Sequence, residues 1–161
     1  MASSQKHCLL VVDDEPDVCD SVRDLLRREF RVVTATSAQE GYRILCQEEV
    51  HIIMTDQRMP EISGVEFLVG AGARNSKAIR VLFTGYADLD SIVAAINQGH
   101  VYQFLKKPWN PEDLLGVIRA AAGEYDRLIE KEEEIHRLRS RVDELQNRVC
   151  SLETEVSKLQ R

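Results

Sequence analysis

Cys8-Leu9-Leu10-Val11-Val12-Asp13-Asp14-Glu15 places five consecutive apolar residues directly before three acids. An apolar run without polar alternation reads as a strand buried on both faces, as in a parallel sheet covered by helices. In such sheets ligands bind beyond the carboxyl ends of the strands, which is where Asp13 and Asp14 fall. Moving outward, residues 17–29 carry Val18, Val22, Leu25 and Leu26 at helical spacing. Residues 31–35 form a second strand, and 38–47 a helix with Tyr42, Leu45 and Cys46 facing inward. The third strand, 50–55, runs into Asp56, and a loop with Pro60 and Gly64 leads to a helix from about Val65. Residues 79–84 are a strand ending on Thr84, 88–98 a helix, and 102–106 a strand followed by Lys107. Pro111 opens the last helix, with Asn110 as its cap. Five strand–helix units predict an α/β fold with a parallel sheet between helical layers. The segment 68–76, with Gly70, Gly72 and Asn75, predicts that the third helix frays or ends early.

The chain has 161 residues, a formal net charge of -6 and 43% hydrophobic residues, a globular balance. Its acidity argues against direct contact with nucleic acid. No apolar run approaches the roughly 20 residues of a membrane helix. The 8–12 stretch is too short for a signal-peptide core and ends in acid, so the expected location is the cytoplasm. Cys8, Cys19, Cys46 and Cys150 lack any zinc spacing and read as buried or partly buried free thiols. The four histidines offer no ligand pair.

All eight glycines and all four prolines lie at or before Gly123. Residues 124–161 hold 10 acids and 8 bases, a composition for a long charged helix rather than a globular core. Within it Ile135, Leu138, Val142, Leu145, Val149, Leu152, Val156 and Leu159 alternate spacings of three and four. Ile or Val at a and Leu at d favour a parallel two-stranded coiled coil. In a parallel pair Glu134 faces Arg139 of the partner subunit, and Arg148 faces Glu153 of the partner subunit. The last helix is expected to run unbroken from Pro111 into this coil, about 75 Å at 1.5 Å per residue. An upstream stripe of Ile118, Ala121, Tyr125 and Leu128 is one residue out of register with the seam. Either the coil has a stammer-like discontinuity, or the helix changes its buried face on leaving the globular domain.

Asp13, Asp14 and Asp56 at one rim repel one another and call for a hard cation, Mg²⁺ or alternatively Mn²⁺. Lys107 and the Thr84 hydroxyl suit the oxygens of a phosphoryl group. No GxxxxGK[ST] or GxGxxG motif supports a nucleotide. Singly, each residue reads as a loop, cap or surface residue; their joint placement at strand ends points to phosphoryl chemistry.

With Val11-Val12-Asp13-Asp14-Glu15, Met54-Thr55-Asp56-Gln57-Arg58-Met59-Pro60 with Gly64, Leu82-Phe83-Thr84-Gly85-Tyr86 and Phe104-Leu105-Lys106-Lys107-Pro108, the chain resembles the receiver domain of two-component response regulators over about residues 6–122. Asp56-Gln57-Arg58-Met59-Pro60, Gly85-Tyr86-Ala87-Asp88 and Lys107-Pro108-Trp109 look like receivers fused to phosphodiesterase domains or transcriptional activators. The resemblance implies a flavodoxin-like doubly wound sheet of order 2-1-3-4-5, with residues 123–161 as a dimerising stalk. It implies that Asp56 takes a phosphoryl group from a sensor histidine kinase. Asp13, Asp14, Asp56 and the Arg58 backbone carbonyl would hold Mg²⁺, and Lys107 would pair with the phosphoryl group. Thr84 and Phe104 would be the switch; where the family often has Tyr, Phe104 lacks the hydroxyl. Arg58 and Tyr86 would flank the phosphoryl group. Such a receiver modifies only itself and turns over no external metabolite. Two other readings share the acidic rim. An aspartyl-phosphate phosphotransferase or phosphatase needs a second acid beside the nucleophile and a cap, whereas Gln57 and Arg58 follow Asp56. A non-phosphorylated scaffold would not need the complete acidic set. The seam stops at Arg161 in mid-heptad with no output segment before it, so either the chain is a fragment or the coil is the output.

Overall fold

The computed structural model describes residues 5–75, 77–85, 89–98 and 100–160. In chain order it contains β1 (Cys8–Val12), α1 (Pro16–Leu26), β2 (Arg31–Ala35), α2 (Ala38–Gln47), β3 (Ile52–Asp56), α3 (Gly64–Arg74), β4 (Ile79–Thr84), α4 (Leu89–Asn97), β5 (Gln103–Lys106) and α5 (Pro111–Leu159). The strands form one parallel sheet of order β2-β1-β3-β4-β5, the flavodoxin-like order.

Because side chains alternate across a strand, the sheet builds two cores. Leu10, Val12, Ile53 and Leu82 pack beneath α2, α3 and α4, around Leu45, Phe67, Leu68 and Ile92. Leu9, Val11, Met54 and Phe83 pack on the other face against α1 and α5, around Val22, Leu26, Leu114 and Ile118. Phe67, Leu9, Leu10 and Ile53 are fully buried, each stabilising by about 1.5–3 kcal/mol relative to exposure. Asn110 caps α5, its Oδ1 accepting the Asp113 N–H at 2.7 Å.

Three expectations are corrected. Cys46 is exposed, while Gly41, Ile44 and Leu45 form the buried stripe of α2; one helical step past Leu45 turns Cys46 about 100° away from the sheet. Cys150 is exposed as well, leaving Cys8 and Cys19 as the buried thiols. The third helix does not end early but runs to Arg74. Gly70 lies under the Tyr42 hydroxyl, where a Cβ would come within 2.3 Å. The Tyr42 hydroxyl donates to the Phe67 carbonyl at 3.3 Å. The helical cost of a glycine, about 1 kcal/mol, thus admits a close helix–helix contact. At its end, Asn75 Nδ2 donates to the Val50 carbonyl at 2.9 Å. Element ends also shift: α1 stops at Leu26, β3 covers Ile52–Asp56 and β5 starts at Gln103. Tyr86, Ala87 and Asp88 lie outside the described residues.

The chain divides into a first unit ending at Tyr125 and a second beginning at Asp126. Within the first, Ile118 and Ala121 are fully buried and Tyr125 packs against the same core, its ring stacked 4.6 Å from His51. The upstream stripe of α5 therefore serves the globular core through Ile118, Ala121 and Tyr125, while Leu128 is exposed in the second unit. Among the described residues no helix is long and apolar enough to cross a membrane.

Candidate functional site

Parallel register brings the strand ends together: Val12 lies opposite Thr55, Asp56 opposite Phe83, and Thr84 opposite Lys106. The next residue on each strand therefore faces one rim. Asp13 follows β1 and is held there by its N–H, which donates to the Ala35 carbonyl at 3.1 Å. Its Oδ1 accepts the Glu15 N–H at 2.9 Å. The buried Cys19 thiol donates to the Asp13 carbonyl at 3.5 Å. Lys107 follows β5, its N–H donating to the Thr84 carbonyl at 2.8 Å.

Carboxylate oxygens of Asp13, Asp14 and Asp56 lie within 4.8 Å of one another. Asp13 and Asp56 are buried and Asp14 is exposed. Lys107 Nζ sits 3.2 Å from Asp13 Oδ2 and 3.5 Å from Asp56 Oδ1. One ammonium does not balance three carboxylates. At an effective dielectric near 20, two such charges about 5 Å apart repel by about 3 kcal/mol. Burial pushes the Asp13 carboxyl above its ordinary range, against the Glu15 N–H and Lys107, with Asp56 adding to the rise. Burial likewise raises Asp56, against Lys107 and the Gln57 N–H. The all-oxygen donor set and its excess negative charge fit a hard divalent cation.

Thr84 is buried beside the cluster. It lines, with Asp14, Gln57, Arg58 and Met59, a groove of about 610 Å³. Arg58 itself is exposed. Gly64 makes the site's tightest backbone approach: a Cβ there would meet the Asp56 carbonyl oxygen at 2.3 Å. Phe104 does not join the cluster; it is 37% exposed on β5, with Tyr102 and Val93 also outward on this side of the sheet. The eight seam residues are all exposed on α5, from 43% at Leu145 to 85% at Leu159.

Sequence reasoning missed three participants. Lys107 Nζ lies 4.6 Å from the centre of the Phe83 ring and 5.8 Å from that of Trp109, so aromatic faces hold the ammonium from its other side. Trp109 and Phe83 stand in the sequence only as motif neighbours of Lys107 and Thr84, with no role assigned to either. Gln57 read only as a residue that is not an acid.

This strand order, with acids and a lysine gathered at the carboxyl ends, defines a receiver, and the family model for the response regulator receiver domain matches residues 9–119. The chain belongs to that family. It is 40% identical over 119 residues to the hydrogenase transcriptional regulatory protein HoxA of Cupriavidus necator, a match covering 74% of this chain and 25% of the relative. The chain thus spans about a quarter of the length of that relative. Among solved structures it resembles a chain of the adenylate cyclase from Rhodopirellula baltica, with a TM-score of 0.79, 30% identity, and coverage of 81% and 98% of the two chains. It also resembles the beryllofluoride-activated NtrC4 receiver domain dimer, with a TM-score of 0.69, 31% identity, and coverage of 73% and 98%.

Proposed function

We propose that Asp56 accepts a phosphoryl group from a phosphohistidine of a sensor kinase and that this controls a transcriptional output. The carrying observation is the cluster of Asp13, Asp14 and Asp56 within 4.8 Å, with Lys107 Nζ 3.5 Å from Asp56. In the transfer an Asp56 carboxylate oxygen bonds to phosphorus as the phosphorus–nitrogen bond to the donor imidazole breaks, and the imidazole keeps the electron pair. Asp13, Asp14, Asp56 and the Arg58 backbone carbonyl would hold Mg²⁺, with Mn²⁺ the substitute. The metal supplies positive charge against the phosphoryl oxygens and relieves the repulsion of the carboxylates. Lys107, already shared between Asp13 and Asp56, pairs with a phosphoryl oxygen. The Thr84 hydroxyl turns to donate to another, and Phe104 moves into the space it leaves.

Residues 6–122 act as the receiver and 123–161 as the stalk. The stalk pairs in parallel through Ile135, Leu138, Val142, Leu145, Val149, Leu152, Val156 and Leu159, and phosphorylation changes how two receivers pack. The exposure of all eight apolar side chains on one stripe supports the stalk pairing, and the NtrC4 receiver, a dimer in its beryllofluoride-activated form, supports contact between receivers. The hydrogenase regulator supports a transcriptional output.

Incubation with a small phosphodonor and Mg²⁺ should add one phosphoryl mass to the intact wild-type chain. The Asp56→Asn variant should show none. An equal adduct on that variant overturns the assignment.

A further inference from the structure

The four leading N–H groups of a helix have no partner within it. In α3 all four are taken. Ser63 N–H donates to Glu66 Oε2 at 3.0 Å, and Glu66 N–H to Ser63 Oγ at 3.2 Å, closing a capping box. The other two go to one residue of the preceding strand end. Gly64 N–H donates to the Gln57 carbonyl at 2.9 Å, and Val65 N–H to Gln57 Oε1 at 3.1 Å. Gln57 N–H in turn donates to the Phe83 carbonyl at 3.1 Å, carrying the β3–β4 ladder one residue beyond Asp56. A single residue therefore ties together the end of β3, the end of β4 beside Thr84, and the start of α3.

Arg58 is the next residue in the chain. Its backbone carbonyl lies inside the loop that Gln57 closes at one end and Gly64 at the other. We propose that Gln57 is a positioning residue for the metal site, its side-chain amide oxygen clamping the start of α3 so that the loop presents the Arg58 carbonyl toward the acidic cluster. This rests on the reading of Asp13, Asp14, Asp56 and the Arg58 carbonyl as the Mg²⁺ ligands. Only a side chain of this length that ends in an acceptor makes the bond. Methionine matches the length but puts a methyl where the amide oxygen stood and keeps only a weak thioether acceptor, which takes the hydrogen bond from Val65 N–H and leaves the loop held by its backbone.

Mg²⁺ titration of the full chain by calorimetry tests the clamp in wild type, Gln57→Met and Ser63→Ala. Ser63→Ala removes a cap from the same helix without touching the Gln57 bonds. Both variants should lose a few degrees of thermal midpoint. Gln57→Met alone should bind Mg²⁺ about tenfold more weakly, with Ser63→Ala within about twofold of wild type. Wild-type affinity in Gln57→Met, or an equal loss in both variants, overturns the proposal. A wild type that binds no Mg²⁺ overturns the ligand assignment beneath it.

Discussion

Asp13 and Asp56 titrate above their ordinary range because burial disfavours their charged forms by more than Lys107 restores. The folded chain therefore holds protons that the unfolded chain releases near pH 4, and these groups lose stability for the fold as pH rises through their folded-state titration. In chelator, Asp56→Asn should raise the thermal midpoint at pH 7.5 by several degrees, because the amide is neutral there. That gain should shrink toward pH 4.5, nearer the range in which burial favours the protonated form of Asp56. Differential scanning calorimetry at the two pH values checks the sign; a gain independent of pH contradicts it. Gly64→Ala should cost about 1–3 kcal/mol in urea unfolding, since its methyl would collide with the Asp56 carbonyl oxygen at 2.3 Å. Arg58 lines the groove beside the acids, and the proposed role is that its bulk obstructs a water approaching in line with the leaving oxygen. Arg58→Ala should shorten the phosphoryl lifetime several-fold, read by loss of the adduct mass with time; an unchanged or longer lifetime refutes the obstruction. The acids, Thr84 and Lys107 were legible because each ends or directly follows a strand. Gln57 and Phe83 were not, because a hydrogen bond across eight residues and an ammonium over a ring leave no periodic mark.

At the scale of elements, periodicity located every strand and helix and failed where contact between elements overrides it. Glycines at 70 and 72 predicted a short α3, yet Gly70 is the space for the Tyr42 hydroxyl, and Arg74 closes over the Tyr42 ring at 4.1 Å. Cys46 looked apolar, but a helix lying on a sheet buries only the stripe directly beneath it. Conversely, the break between the stripe of Ile118, Ala121 and Tyr125 and the seam from Ile135 marks where α5 stops serving the globular core. Every seam residue is exposed, and a single helix gains nothing from so regular an apolar stripe. A charge at its centre would be buried unpaired in a coiled coil. Leu145→Asp should therefore convert a dimer to a monomer in multi-angle light scattering of the unphosphorylated chain. A monomeric wild type, or a variant as dimeric as wild type, removes the stalk reading.

For the whole molecule, the acidic cluster lies in the unit ending at Tyr125 and the proposed seam in the unit beginning at Asp126, with α5 common to both. No glycine or proline follows Gly123, and α5 is the element along which a change at the proposed switch of Thr84 and Phe104 would reach the proposed seam. That coupling matters only if Asp56 carries the phosphoryl group, and acyl phosphate chemistry tests this directly. Borohydride reduces an aspartyl phosphate to homoserine. Trypsin then yields the peptide 44–58, in which Asp56 is the only aspartate, separate from the peptide 7–23 that holds Asp13 and Asp14. After treatment with phosphodonor and Mg²⁺, homoserine should appear at position 56 alone. Homoserine at 13 or 14, or at no position, would contradict the account.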